Sequence, residues 1–150
     1  MIQLYYQKKY NISETYTNVE LELVPCMSFY TSILQINKLN KGEKIGYGAF
    51  ENCSSLITIK LSNNITEIDT GMFRNCSTLT SIVIPNSVKS IGYGAFYGCE
   101  YLEIITIPNT VISIGRGAFS DCTSLTSVEI GDSVTSIGDM AFSDCDSLTS

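Results

Sequence analysis

The amino-acid sequence predicts a right-handed parallel solenoid, a β-rich α/β fold whose coils each contribute a parallel β-strand and a short helical or 3₁₀ corner. The first observation is a 23-residue period that keeps phenylalanine, cysteine, leucine and isoleucine in register over five coils. The second is the alternation of apolar residues after each leucine, which is typical of a strand. The third is an apolar spacing of three and four residues elsewhere in the coil, which favours a helical turn. The register is carried by Phe50, Phe73, Phe96, Phe119 and Phe142, and by Cys53, Cys76, Cys99, Cys122 and Cys145.

The coil that begins at Ile91 reads IGYGAFYGCEYLEIITIPNTV and shows the predicted elements in order. Residues 94–102 have the apolar spacing of a short helical corner, and 102–107 alternate as a strand with every second side chain turned inward. Pro108 and Asn109 predict a turn, and 111–114 a second extended piece. A coil of this length cannot bury its apolar edge alone. The coils must therefore stack, about 4.8 Å apart along the direction of strand pairing.

The two ends of the chain depart from this period. Residues 1–25 show no repeat and are predicted to form either an N-terminal cap or a tail. Residues 26–44 are a degenerate repeat, since a step of 23 back from Phe50, Leu56 and Ile59 gives the apolar Met27, Ile33 and Ile36. Residues 45–150 are regular, with a last repeat that stops before its expected strand. We expect either a fragment of a longer protein or an end that a partner covers.

Composition excludes several classes of function. The formal net charge is −6: residues 1–44 carry five basic and four acidic residues (+1), and 45–150 carry four basic and eleven acidic (−7). This acidic balance argues against nucleic-acid binding. The chain has no histidine, which removes the usual general base and the His-containing metal sites. No apolar run reaches the length of a membrane span, and the opening MIQLYYQKKY lacks the apolar core of a signal peptide.

The residues that often carry chemistry have structural explanations in this sequence. Five of the six cysteines occupy one inward column without a Cys-x-x-Cys pair, so they are interpreted as small buried hydrophobes and not as zinc, redox or disulfide positions. Glycine-rich stretches such as 92–98 recur in the corners of other coils, at Gly46/Gly48 and Gly115/Gly117, and fit tight turns better than a phosphate loop. The sequence therefore predicts no enzyme: no catalytic residue, no metal site and no cofactor.

The frame Ile-Gly-x-x-Ala-Phe-x-x-Cys-x-x-Leu-x-x-Ile-x-Ile-Pro-x-x-Val at 45–150 resembles the BspA-like (Treponema pallidum-type) class of leucine-rich repeats. Departures are mild: Asp69 replaces glycine, Met72 replaces alanine, and Ser62 and Gly131 replace proline. The resemblance implies a leucine-rich repeat solenoid. It also implies a surface antigen or adhesin that contacts host or other cell proteins, and hence a location at the cell surface or outside the cell.

Outward strand positions are predicted to form a continuous flat or concave sheet, and this surface is the candidate site for such contacts. Its adjacent apolar positions Val83 and Ile104 have no other explanation in the sequence. An intracellular scaffold that holds cytoplasmic protein partners is the alternative, since no export signal is visible. Four Asn-x-Ser/Thr triplets, at Asn11, Asn52, Asn64 and Asn75, are possible glycosylation sites, of which Asn64 lies in an expected turn. The predicted binding face comprises Thr58, Lys60, Ser81, Val83, Ile104, Thr106, Ser127 and Glu129.

Overall fold

The computed structural model describes residues 33–35 and 45–150, and its regular elements are all short β-strands. The first row of strands follows the leucine of each coil, and the second row follows the turn after it. The first row consists of β1 (Ile33–Gln35), β2 (Thr58–Lys60), β4 (Ser81–Val83), β6 (Ile104–Ile107) and β8 (Ser127–Ile130). The second row consists of β3 (Glu67–Ile68), β5 (Ser90–Ile91), β7 (Ser113–Ile114) and β9 (Ser136–Ile137).

Every strand pair in the described residues is parallel, as the repeat predicts. The second row forms one sheet in the order β3-β5-β7-β9. The first row forms two sheets, β1-β2-β4 and β6-β8. From β2 onward, paired residues are 23 apart in sequence, as in Ile59 opposite Ile82 and Ile105 opposite Val128. The predicted parallel solenoid is confirmed.

The register of the first described strand differs from the expected one. Leu34, and not Ile36, lies opposite Ile59, so the offset between β1 and β2 is 25 residues. The coil that joins these two strands is thus two residues longer than its successors, and a fixed step of 23 places the degenerate repeat in the wrong register. The predicted cap or tail at 1–25 lies outside the described residues.

The core is a set of side-chain ladders parallel to the solenoid axis. The five repeat phenylalanines stack with ring centroids 5.0 to 5.3 Å apart and nearly parallel planes. Columns of leucine and isoleucine from the first row of strands flank the phenylalanine ladder. These leucine and isoleucine side chains are buried in the inner coils. Burial of each such side chain stabilises the fold by about 1.5–3 kcal/mol. Only stacking provides this burial, because each ladder rung lies in a different coil.

The corners are turns, which corrects the expected helical or 3₁₀ geometry: no helix occurs in 45–150. A helix needs consecutive N–H groups bonded within the segment, and here they alternate. Ala49 N and Glu51 N donate within the turn, to Gly46 O and Gly48 O, whereas Phe50 N donates to Met72 O of the following coil at 2.9 Å. Left-handed backbone at Gly48 (φ 59°) and Asn52 (φ 61°) interrupts any helix.

Close backbone approach explains another repeat glycine. A Cβ atom on Gly115 would lie 2.6 Å from the carbonyl carbon of Gly92 in the preceding coil, a distance that real structures do not show. The amide of Gly115 donates to Ile91 O at 2.8 Å, so at this end of the strand the N–H points to the preceding coil, opposite to the corner amides. Asp69 departs from the glycine pattern, and its carboxylate accepts a bond from Thr70 N at 2.7 Å.

Candidate protein-binding face

The eight residues predicted to face outward lie side by side on β2, β4, β6 and β8; we call them the strand face. Pairing places Lys60 beside Val83, and Thr106 beside Glu129. Between the outward positions, Ile59, Ile82 and Ile105 point into the core and are buried. The alternation of a parallel strand therefore presents two outward positions per coil. All eight residues of the strand face are exposed or half-buried: Thr58, Lys60, Ser81, Val83, Ile104, Thr106, Ser127 and Glu129.

The strand face is interrupted at its middle, whereas the sequence predicts a continuous sheet. β4 and β6 belong to different sheets. The bond from Glu103 N to Thr80 O lengthens to 3.5 Å, against 2.9 Å for the equivalent bonds from Thr80 N and Thr126 N. Gly131 N donates to Ile107 O between β8 and β6, whereas Pro85 and Pro108 at the equivalent positions have no N–H to donate. Since β2 and β4 pair in spite of Pro85, the long bond from Glu103 N is what distinguishes this junction. Pairing therefore weakens at this junction.

An open groove of about 350 Å³ lies at this interruption. Val83 and Ile104 form part of its wall and are 79% and 58% exposed. Large apolar side chains that remain this exposed and adjacent are typical of contact surfaces. The groove residues on the loops were not found by sequence reasoning, because Pro108 stands where Pro85 does and the repeat marks no difference between their coils. The full lining is Ile82, Val83, Ile84, Asn86, Ile104, Thr106 and Pro108.

Charged side chains flank the groove on both sides. Lys60 lies exposed on β2, one strand before Val83. Glu129 lies exposed on β8, where its carboxylate accepts a hydrogen bond from Thr106 Oγ1 at 3.2 Å. Glu103 is exposed directly before β6 and aligns with Thr126, three residues before Glu129, so it lies about 10 Å from Glu129 along the strand direction. The strand face thus has a basic end, an apolar middle and an acidic end.

Many hydroxyl groups near the strand face are already used by the stack. Thr80 Oγ1 donates to Ile57 O, Thr126 Oγ1 to Glu103 O, and Thr149 Oγ1 to Thr126 O, at 3.0 to 3.3 Å. Each bond joins a threonine to the coil before it. These hydroxyls therefore stabilise coil stacking, and this explains part of the Ser/Thr content of the sequence without any catalytic role.

The five repeat cysteines form a ladder that is buried from Cys53 to Cys122 and half-buried at Cys145, as expected of small hydrophobes. Their thiols donate to the phenylalanine carbonyl of the preceding coil: Cys76 to Phe50 at 3.0 Å and Cys99 to Phe73 at 3.2 Å. Burial raises the pKa of Cys99 well above its ordinary value and raises that of Cys145 as well. A neutral thiol is a poor nucleophile and a poor metal ligand. Within 45–150 no group of three His, Cys, Asp or Glu side chains is arranged to hold a metal ion.

The corner surface carries a polar network away from the strand face. The Arg74 guanidinium lies 4.4 Å from the centroid of the Tyr97 ring, and its Nε is 3.9 Å from a Glu51 carboxylate oxygen. A hydrogen bond to Asp121 raises the pKa of Tyr97. These groups pair across neighbouring coils at the surface, where each pair contributes little to stability.

The described glycosylation triplets differ in their surroundings. Asn64 is exposed in a turn, as expected. Asn52 and Asn75 both have left-handed backbone, and the Asn75 side chain donates to Asn52 Oδ1 at 3.0 Å. Their amides therefore belong to an asparagine ladder in the corner. Asn11 lies outside the described residues, and no helix in the described part of the chain is long and apolar enough to cross a bilayer.

Comparison with known proteins agrees with this architecture. Residues 22–149 match the model of the BspA type leucine rich repeat region, in six copies. No curated protein matches the chain significantly.

Solved structures of bacterial repeat proteins have the same fold. A leucine-rich repeat protein from Bacteroides ovatus is 38% identical, with a TM-score of 0.72, over 78% of this chain and 30% of that one. The T. pallidum leucine-rich repeat protein is 29% identical, with a TM-score of 0.70, over 87% and 66%. A leucine-rich cell surface protein from Faecalibacterium prausnitzii is 34% identical, with a TM-score of 0.65, over 79% and 38%. The chain thus spans less than a third of the length of the Bacteroides protein.

Proposed function

Since this chain belongs to the BspA-type leucine-rich repeat family, we propose that it is a non-catalytic protein-binding module of a cell-surface antigen or adhesin. It would contact host proteins or proteins of other cells. The cell-surface protein from Faecalibacterium supports the location. The observation that carries the binding role is the exposed apolar pair Val83 and Ile104 over the groove. The strand face would be the contact surface.

Binding through the strand face can be tested with a variant that keeps β-branched side chains. Val83→Thr combined with Ile104→Thr keeps the β-branched shape that suits a strand and removes the apolar surface. We expect this double variant to fold as the parent does. The parent chain, immobilised on a support, should capture a partner protein from surface-labelled cells, and the double variant should lose most of this capture.

The matched control is Ile112→Thr, because Ile112 is also large and 52% exposed but precedes the second row of strands. Ile112→Thr should capture the partner as the parent does. Equal capture by the parent and the Val83/Ile104 variant would refute the strand face as the contact surface.

An intracellular protein-binding scaffold is the second candidate. Buried thiols outside any disulfide, at Cys99 and Cys122, are compatible with a reducing compartment. Antibody labelling of intact and of permeabilised source cells separates the two candidates. Labelling of intact cells supports the surface module, and labelling that requires permeabilisation supports the scaffold.

A further inference from the structure

We propose that the strand face recognises an extended peptide segment that carries an acidic, an apolar and a basic side chain at alternate positions. This inference rests on the proposed protein-binding function and names the chemistry of the partner. The segment lies along the solenoid axis, across the strands. Its acidic residue meets Lys60, its apolar residue enters the groove between β4 and β6, and its basic residue meets Glu129.

Charge order along the strand face is the first support. The outward column reads Lys60, Val83, Thr106 and Glu129, so opposite charges lie at its two ends with the groove between them. Within 45–150 the net charge is −7, and among the eight residues of the strand face Lys60 is the one cation and Glu129 the one anion. A segment with a single sign of charge would be repelled at one end.

Spacing is the second support. Strands lie about 4.8 Å apart, so the three steps from Lys60 to Glu129 span about 14 Å. An extended chain rises about 3.3 Å per residue, so residues i and i+4 are about 13 Å apart. Residues i, i+2 and i+4 of an extended chain also project from one face. One acidic, one apolar and one basic side chain at alternate positions thus match the two charges and the groove together.

Orientation of the acidic end is the third support. Thr106 Oγ1 donates to the Glu129 carboxylate at 3.2 Å and holds it toward the groove. The basic residue of the segment therefore meets a carboxylate that is positioned in advance, which lowers the entropy cost of binding.

The test uses three synthetic capped peptides that differ only in charge. Each has a central leucine with a threonine on either side, and charged residues two positions before and after the leucine. The mixed peptide has glutamate and lysine at those positions, the basic peptide has two lysines, and the acidic peptide has two glutamates. Affinities for the whole chain are measured by fluorescence anisotropy at low salt, where exposed charges are least screened.

Charge reversal on the protein should switch the preferred peptide. We expect Lys60→Glu to weaken the mixed peptide and to favour the basic one, with a change in their affinity ratio of about fivefold or more. Glu129→Lys should shift preference toward the acidic peptide by a similar factor. The matched controls are Lys89→Glu and Glu100→Lys, which change the net charge equally at exposed positions outside the strand face. They should leave the affinity ratios unchanged.

The outcomes separate a failure of this inference from a failure of the proposed protein-binding function. A preference switch seen in Lys60→Glu and absent in Lys89→Glu supports the charge order. Equal ratios in those two variants overturn it, as does a lack of binding by all three peptides. If, in either of those two outcomes, partner capture still depends on Val83 and Ile104, the protein-binding function stands. Only the proposed charge order of the bound peptide is then rejected. If capture is also indifferent to Val83 and Ile104, both proposals fall.

Discussion

At the scale of single residues, the stack dictates backbone angles that only some side chains tolerate. Each corner has two left-handed positions four residues apart. The first is glycine in four coils and Met140 in the fifth, where φ is 58°. The second is asparagine, aspartate or glycine, as at Asn52, Gly98 and Asp144. Asparagine, aspartate and glycine are the residues that adopt this conformation most readily, and methionine is not among them.

Met140→Gly is therefore expected to stabilise the chain. The Met140 side chain is 64% exposed, so its removal loses little packing, while relief of the left-handed strain contributes about 1 kcal/mol. Chemical denaturation monitored by circular dichroism measures the change in the free energy of unfolding. Gly94→Ala, at the equivalent position of an inner coil (φ 54°), is the converse control and should destabilise. A loss of stability in Met140→Gly would contradict the strain at this position.

The buried thiols make stability depend on alkaline pH. Because the pKa of Cys99 is raised in the folded chain, the unfolded chain loses this proton first as the pH rises. The free energy of unfolding should be flat with respect to this thiol below its ordinary pKa of about 9.0, and should decline above that value. Urea unfolding at pH 7.5 to 10.5 measures the slope. Cys99→Ala should be less stable at neutral pH and show a shallower decline, and an unchanged slope would refute the assignment.

At the scale of elements, each ladder rung depends on the coils on both sides. Phe96 is fully buried between Phe73 and Phe119, at centroid distances of 5.2 and 5.0 Å. Phe142 is half-buried and stacks on Phe119 at 5.3 Å. The cysteine ladder shows the same gradient, since Cys99 is buried and Cys145 is half-buried. Identical residues at equivalent positions therefore differ in their contribution according to the coil in which they lie.

The phenylalanine ladder allows a direct test of this dependence. Phe96→Ala should lower the free energy of unfolding by about 3–5 kcal/mol, because it leaves a large cavity in a closed stack. Phe142→Ala should cost clearly less, because its environment is already partly open. Both values come from the same chemical denaturation experiment. Equal losses would contradict the stacked-coil core.

Sequence alone predicts the side-chain ladders well, and it predicts the backbone geometry of the corners poorly. The 23-residue period fixes which side chains share a column, since paired residues such as Ile59 and Ile82 must follow it. The conformation of the corner is harder to predict, because apolar residues three and four positions apart fit both a helix and a turn. The decisive signal is Gly48 with Asn52, whose left-handed angles end a helix before it forms.

The candidate site shows the same limit. Outward positions such as Val83 and Ile104 follow from alternation, so the strand face could be predicted residue by residue. The interruption between β4 and β6 could not, because it depends on a small difference in hydrogen-bond length at Glu103. Periodicity treats every coil as equal and does not detect such differences.

At the scale of the whole molecule, charge is concentrated toward one end of the chain. Residues 117–150 contain six acidic residues and no lysine or arginine, a net of −6, whereas 45–116 contain four basic and five acidic residues, a net of −1. Several of these carboxylates, including Asp139, Asp144 and Asp146, are exposed in the last corner. Like charges at this density repel one another and oppose compact stacking.

Salt should therefore stabilise the chain. We expect the thermal midpoint to rise between about 10 mM and 300 mM NaCl, as the Debye length falls from about 30 Å to well under 10 Å. Asp146→Lys should raise the midpoint at low salt and reduce its dependence on salt. Glu51→Lys is the control, because Glu51 lies beside Arg74 and its reversal replaces an attraction with a repulsion. A midpoint indifferent to salt in the parent chain would refute the repulsion.

The opposed hydrogen bonds of the two sides have a consequence for the electric field of the solenoid. Corner amides such as Phe50 N point to the following coil, and amides at the strand ends such as Gly115 N point to the preceding one. Their peptide dipoles oppose each other along the axis, whereas those of an α-helix add up to a partial charge at each end. Additional coils thus build no growing pole at either end of the solenoid. The potential that an approaching protein meets is set by side chains such as Lys60 and Glu129, and substitutions there can change it without altering the stack.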